Sequence, residues 1–212
     1  MKNKFLHVFK YIFFDISSAA LAWTFFMMYR TSYIEKEALT TNINFYINLS
    51  IITICWIIFY SLIGSYKDIY RKSRLGEVFE ILYVSAIGVV IIFFAILLDD
   101  FIINYKQYYS SFLALFCFHF LLTSIFRFIL TTQTAYKIHN KIIGFNTLII
   151  GSNEKAVLLF NNLKNEYPSS GHSIVGFLSV DKKDNYLLEE HTEHFGDYTQ
   201  LKQIIEDKNI ED

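Results

Sequence analysis

Four apolar stretches, each long enough to cross a bilayer, occupy the first 130 residues, and nothing else constrains the chain as tightly. They run Val8–Tyr29, Phe45–Ile63, Val78–Leu98 and Tyr109–Leu130. A helix needs roughly 20 apolar residues to traverse about 30 Å of hydrocarbon. In lipid the backbone must satisfy its own hydrogen bonds, and long runs without strand-like alternation do so as helices. The composition agrees: 53% of the 212 residues are hydrophobic, with 22 Phe, 15 Tyr and one Pro, a profile typical of membrane proteins. The expected fold class is an all-α four-helix transmembrane bundle over residues 1–130, followed by a partial α/β domain. The first stretch carries Asp15, exceeds a signal core in length and ends in Met27–Met28–Tyr29–Arg30 rather than in small residues. It reads as a retained helix.

The basic residues set an expected orientation. Lys2, Lys4, Lys10, Lys67, Arg71, Lys72, Arg74, Lys137 and Lys141 fall on one side of the spans, and only Arg30, Lys36 and Lys106 on the other, nine against three. Both termini are therefore expected in the cytoplasm. Residues 131–212 carry 8 Lys and 12 Asp+Glu, a formal −4, which argues against nucleic-acid binding, since that needs a basic footprint. Cys55 and Cys117 lie within spans without metal-site spacing and read as buried reduced thiols.

Ionisable residues inside hydrocarbon are costly, by roughly 2.5–3.5 kcal/mol on insertion scales, and are expected to have partners. Asp15 lies about two turns into the first span and Arg127 about one turn into the fourth, measured from the same side. They are expected to pair and so fix how these helices pack. The alternative is that Arg127 snorkels to the headgroups while Asp15 meets water. His119 and Asn48 could line a transport pathway or hydrogen-bond a neighbouring helix. No span has the Gly/Pro interruptions of transporter sites, which favours the second.

Residues 131–145 read as a polar connector. Asn146–Ile150 is a short apolar run that meets Gly151–Ser152–Asn153, and Glu154–Asn165 places Ala156, Leu159, Phe160 and Leu163 at helical spacing. Ile174–Val180 reads as a second strand, an acidic loop with histidines follows, and Tyr198–Asp207 reads as a second helix. This order matches the opening of a doubly wound nucleotide-binding fold. The candidate cofactor residues are Gly151, Ser152 and Asn153, where a helix N-terminus could meet phosphate. Asn153 replaces the second glycine of G-x-G-x-x-G, so a purely structural turn is the competing reading. Residues 146–212 are expected to be incomplete as such a domain. A third strand would be due after Asp212, leaving two strands with open edges. His172, His191 and His194 read as solvated loop histidines without a metal-ligand set. No Ser/His/Asp set, P-loop or carboxylate dyad is present, so no catalytic residue is assigned.

Four segments together carry a resemblance: Phe14–Asp15 in the first span, Tyr66–Lys67–Asp68–Ile69–Tyr70–Arg71–Lys72–Ser73–Arg74 before the third, the connector from Lys137 to Gly151, and Val175–Gly176–Phe177. Over essentially its whole length the chain resembles the N-terminal part of the large polyprenyl-phosphate sugar-phosphate transferases of bacterial exopolysaccharide and capsule assembly. The resemblance implies four spans in the bacterial inner membrane and a cytoplasmic Rossmann-like (CoA-binding-like) domain. It also implies a later catalytic domain, absent from residues 1–212, that uses Mg²⁺ to move a sugar phosphate from a nucleotide sugar to undecaprenyl phosphate. The implied partners are the bilayer, those two substrates through that domain, and possible oligomeric or polysaccharide-assembly proteins. By itself the 212-residue chain is expected to be inactive, with no cofactor of its own. The alternatives are the anchor of a membrane-bound nucleotide-sugar dehydratase and a non-enzymatic scaffold of polysaccharide assembly.

Overall fold

The computed structural model describes residues 4–97, 105–181 and 185–211. Lys2, Leu98 and Asp212, which entered the reading above, lie outside that set. The chain divides into two compact units, Met1–Gln133 and Thr134–Asp212.

The first unit is helical: α1 (Lys4–Tyr29), α2 (Ile43–Ile63), α3 (Arg74–Ile92) and α4 (Tyr105–His139). All four are long and apolar enough to cross a membrane. Polar residues punctuate them where a helix leaves backbone groups unpaired. The Asn42 side chain accepts from Phe45 N–H at 3.0 Å and opens α2; Ser73 does the same for α3 through Gly76 N–H at 3.0 Å. Gly64, at φ +82°, closes α2, in the left-handed conformation that glycine adopts freely. Single turns of π-helix extend α1 (Arg30–Glu35) and α3 (Phe93–Leu97).

Inside the bundle, Trp23, Phe26, Ile52, Trp56, Val84, Val89 and Leu115 form one apolar cluster. On α2, Ile47, Ile51, Ile54, Ile58 and Leu62 recur at helical spacing and are exposed. A face this apolar and unburied suits hydrocarbon rather than water. Close approach of α2 and α3 depends on Gly88, because a Cβ there would overlap the Trp56 ring.

The connector reading of residues 131–145 needs correction. Helix α4 continues nine residues beyond Leu130, burying Thr131, Thr134 and Ile138. No Gly or Pro interrupts that stretch, and polar composition alone does not end a helix whose buried positions recur at i and i+4. It stops where Lys141, at φ +57°, turns the chain and Ile142 N–H bonds the Lys137 carbonyl at 2.9 Å.

The second unit holds a three-stranded parallel sheet, β1 (Phe145–Ile150), β2 (His172–Ser179) and β3 (His194–Asp197), in spatial order β1-β2-β3. The loop reading of the acidic, histidine-bearing segment is corrected at its end, where His194–Asp197 is a strand paired with β2. Its four residues carry no apolar run, so pairing with β2 rather than local pattern creates the strand. Gly176 lets it approach, since a Cβ would lie 2.7 Å from the Glu193 carbonyl oxygen. Helix α5 (Glu154–Asn165) packs Ala156 and Phe160 with Ile149, Phe177 and Leu188. A 3-10 turn (Tyr198–Gln200) leads into α6 (Leu201–Asp207). The outer edge of β1 is not bare: Glu211 N–H reaches the Asn146 carbonyl at 2.8 Å.

Candidate functional site

Two constellations carry chemistry, one in each unit. In the helical bundle the structure brings Asp15 and Arg127 together. Arg127 Nε donates to Asp15 Oδ1 at 2.8 Å and Nη2 to Oδ2 at 2.7 Å, a two-pronged pair in which the residues are 0% and 1% exposed. The flat guanidinium suits this geometry, which a lysine could not reproduce. Tyr66 donates its hydroxyl to Asp15 Oδ2 at 2.8 Å, and the Tyr60 ring lies 4.1 Å from the Arg127 Cζ. Snorkelling of Arg127 is thereby ruled out, because its head is sealed among α1, α2 and α3 side chains.

The pair belongs to a larger network that sequence reasoning did not assemble. Arg127 Nη1 lies 3.5 Å from Glu80 Oε1 and 3.9 Å from Glu77 Oε1. Lys72 Nζ holds both Glu80 oxygens, at 3.0 and 2.9 Å, and Ser65 also bonds that carboxylate. The Thr131 hydroxyl contacts Glu77, bonds the Arg127 carbonyl at 2.9 Å and meets the Tyr11 hydroxyl at 3.2 Å. Three carboxylates thus share two cations. The available signal was spacing: Glu77 and Glu80 are three apart, hence on one face of α3, with Lys72 two residues before that helix. Outside the spans, burial pushes the Tyr66 phenol up, and the adjoining Asp15 carboxylate adds to the shift.

His119 is buried, stacks on Trp56 with ring centroids 3.5 Å apart, and shares a hydrogen bond with the Tyr60 hydroxyl at 3.1 Å. Asn48 is half-buried. Cys55 and Cys117 are free thiols, half-buried rather than fully enclosed.

In the second unit, Gly151, Ser152 and Asn153 sit at the C-terminal end of β1, and each has a local task. Gly151 stands at φ +107° with nothing within 4 Å of a notional Cβ, so the backbone angle rather than crowding demands glycine. Ser152 Oγ accepts from Leu188 N–H at 3.0 Å. The Asn153 side chain accepts from Ala156 N–H at 3.0 Å and caps α5. The cavity they border, about 280 Å³, is also lined by Ser179, Asp181 and Tyr186. It lies just below the usual ligand-site range of about 300–1,000 Å³. Asp181, which follows β2, was not singled out from sequence, although an acidic residue after the second strand is where dinucleotide folds meet ribose.

The solvated-loop reading of the histidines is corrected for His172 and His194, which lie in strands, and holds for His191, which is exposed in a turn. His194 is in β3, stacked on Phe177 at 4.7 Å, with Nε2 3.2 Å from Ser179 Oγ. His191 stacks on Phe160 at 5.4 Å, and His172 Nδ1 meets Thr147 Oγ1 at 3.1 Å. His172 and His194 are half-buried, so these partners share each ring with solvent. Among the described residues no three His, Cys, Asp or Glu side chains gather as a metal site. Comparisons with protein-family models, curated proteins and solved structures found no match.

Proposed function

We propose that this chain is the membrane-anchoring and regulatory portion of an undecaprenyl-phosphate sugar phosphotransferase, which starts repeat-unit assembly for an exopolysaccharide or capsule. The observation that carries the reading is the order of parts: a four-helix bundle tied by a buried Asp15–Arg127 pair, then a parallel α/β unit opened by Gly151–Ser152–Asn153. Asp15 and Gly151 lie in segments on which the family resemblance rests. The bundle's task is placement. It holds a catalytic domain at the cytoplasmic leaflet, where a lipid phosphate acceptor and a soluble sugar nucleotide meet. Both termini are cytoplasmic in this reading, and the membrane is the bacterial inner membrane.

The α/β unit is read as Rossmann-like, with Gly151–Asn153 and Asp181 flanking any nucleotide it takes. Catalysis belongs to the transferase's separate domain. In this reading Mg²⁺ acts in that domain too. The test supplies membranes containing the full product of the gene with undecaprenyl phosphate and a panel of labelled nucleotide sugars. Mg²⁺-dependent, organic-extractable product from the full gene product, and none from residues 1–212, is expected. Lipid-linked product from residues 1–212 alone, or none from the full product, overturns the proposal.

A further inference from the structure

At the opposite end of the sheet from Gly151 lies a larger cavity, of about 470 Å³. It opens where β1 and β2 begin and where α5 ends. Its charge distinguishes it. Residues 131–212 carry a formal −4, yet the lining includes Lys141, Lys164 and His172 and no carboxylate. The lining thus gathers two ammonium groups, from the turn after α4 and from α5, and an imidazole from β2.

Each donor is positioned. Lys141 is carried on the left-handed turn after α4, and one of its three ammonium protons goes to the Lys164 carbonyl at 3.2 Å. That bond caps the last turn of α5, and it is the bland reason for a lysine here. It leaves two protons for a ligand. The Lys164 ammonium lies 5.4 Å from the Phe160 ring centroid. It has no hydrogen-bond partner among the described residues, and it sits at a helix C-terminus where a cation is favoured. His172, on β2, meets through Nδ1 the hydroxyl of Thr147, on β1, at 3.1 Å, and that hydroxyl also bonds the Phe145 carbonyl at 2.9 Å. The nearby carboxylate, Glu166, is outside the lining, although it interacts electrostatically with His172. The Ser170 hydroxyl and N–H both bond it and hold its carboxyl below the usual range. Gly171, in the lining, stands at φ +93°, and a Cβ there would press 2.9 Å from Ile138 and Phe145.

From this geometry we infer that the cavity bordered by Lys141, Lys164 and His172 is a binding site for a phosphate-bearing anion. The volume exceeds a lone phosphate and matches a diphosphate ester or a lipid headgroup. These sources share one chemistry, and the experiment separates them.

The probe is inorganic pyrophosphate, titrated into the 212-residue chain in zwitterionic nanodiscs and followed through the His172 ring resonances. Saturable shifts in the wild type are expected. Lys141→Gln and Lys164→Gln should each weaken binding about fivefold, the effect of one screened charge at about 4 Å. Lys155→Gln and Lys202→Gln, outside the lining, should leave it unchanged. Thermal melts of the two lining variants separate weakened binding from loss of the α5 cap. Repeating the titration in nanodiscs with anionic lipid assigns the source. Competition there supports a headgroup ligand, and its absence supports a soluble one. No saturable shift in the wild type, or equal affinity in all four variants, overturns the inference.

Discussion

Removing Arg127 should damage the bundle more than removing Asp15, although each is the other's main partner. The reason is the local charge count. Asp15, Glu77 and Glu80 face Arg127 and Lys72, three carboxylates to two cations. Arg127→Met leaves three carboxylates with Lys72 alone. Two unit charges 4 Å apart at an effective dielectric of about 20 interact by about 4 kcal/mol, and stripping one partner from a buried pair costs about 3–5 kcal/mol. About 4 kcal/mol of destabilisation is therefore expected. Asp15→Asn instead leaves two carboxylates with two cations, and Arg127 keeps Glu80 at 3.5 Å and the Tyr60 face. Its cost is that of charge-assisted hydrogen bonds, about 2 kcal/mol. The double variant restores the starting imbalance and should cost about 3 kcal/mol, well short of the roughly 6 kcal/mol sum. The assay is reversible denaturant titration in micelles, read by fluorescence of the buried Trp23 and Trp56. Strict additivity, or a greater loss in Asp15→Asn than in Arg127→Met, would refute the reasoning.

The same count predicts that Glu77→Gln, which keeps an acceptor for Thr131 and balances the charges, stays within about 1 kcal/mol of wild type or exceeds it; a loss above about 2 kcal/mol in the same titration contradicts the count. Gly88→Ala should lower the thermal midpoint through overpacking against Trp56, by about 1–3 kcal/mol, and pairing it with Trp56→Leu should recover part of that loss. Asn153→Ala removes the α5 cap and should cost the second unit about 1 kcal/mol, seen as faster amide exchange in α5 without change in the bundle.

The helical spans are legible because a 20-residue apolar run in water has few other fates. The end of α4 is not, because beyond Leu130 its residues become polar while burial persists at Thr134 and Ile138, which hydropathy does not register. β1 and α5 announce themselves by an apolar run, a glycine turn and an amphipathic repeat. β3 does not: His194–Asp197 is a strand only because β2 presents Gly176 to it. Asp15 and Arg127 stand out because ionisable groups in hydrocarbon are rare. Glu77, Glu80 and Lys72 straddle the start of an apolar stretch, where charges are ordinary, and only folding turns them inward. The Gly151 turn shows the converse difficulty. It keeps the first glycine of the motif, yet Ser152 and Asn153 are engaged in holding Leu188 and α5.

Sidedness tests the account most directly. In a Cys55→Ser/Cys117→Ser background, single substitutions Ala38→Cys, Lys67→Cys and Asn161→Cys can be probed with an impermeant maleimide on intact cells. Labelling of Ala38→Cys from outside, with Lys67→Cys and Asn161→Cys reached only after permeabilisation, is the predicted result. Reaction at Lys67→Cys or Asn161→Cys in intact cells would contradict a membrane anchor that presents its α/β unit to the cytosol.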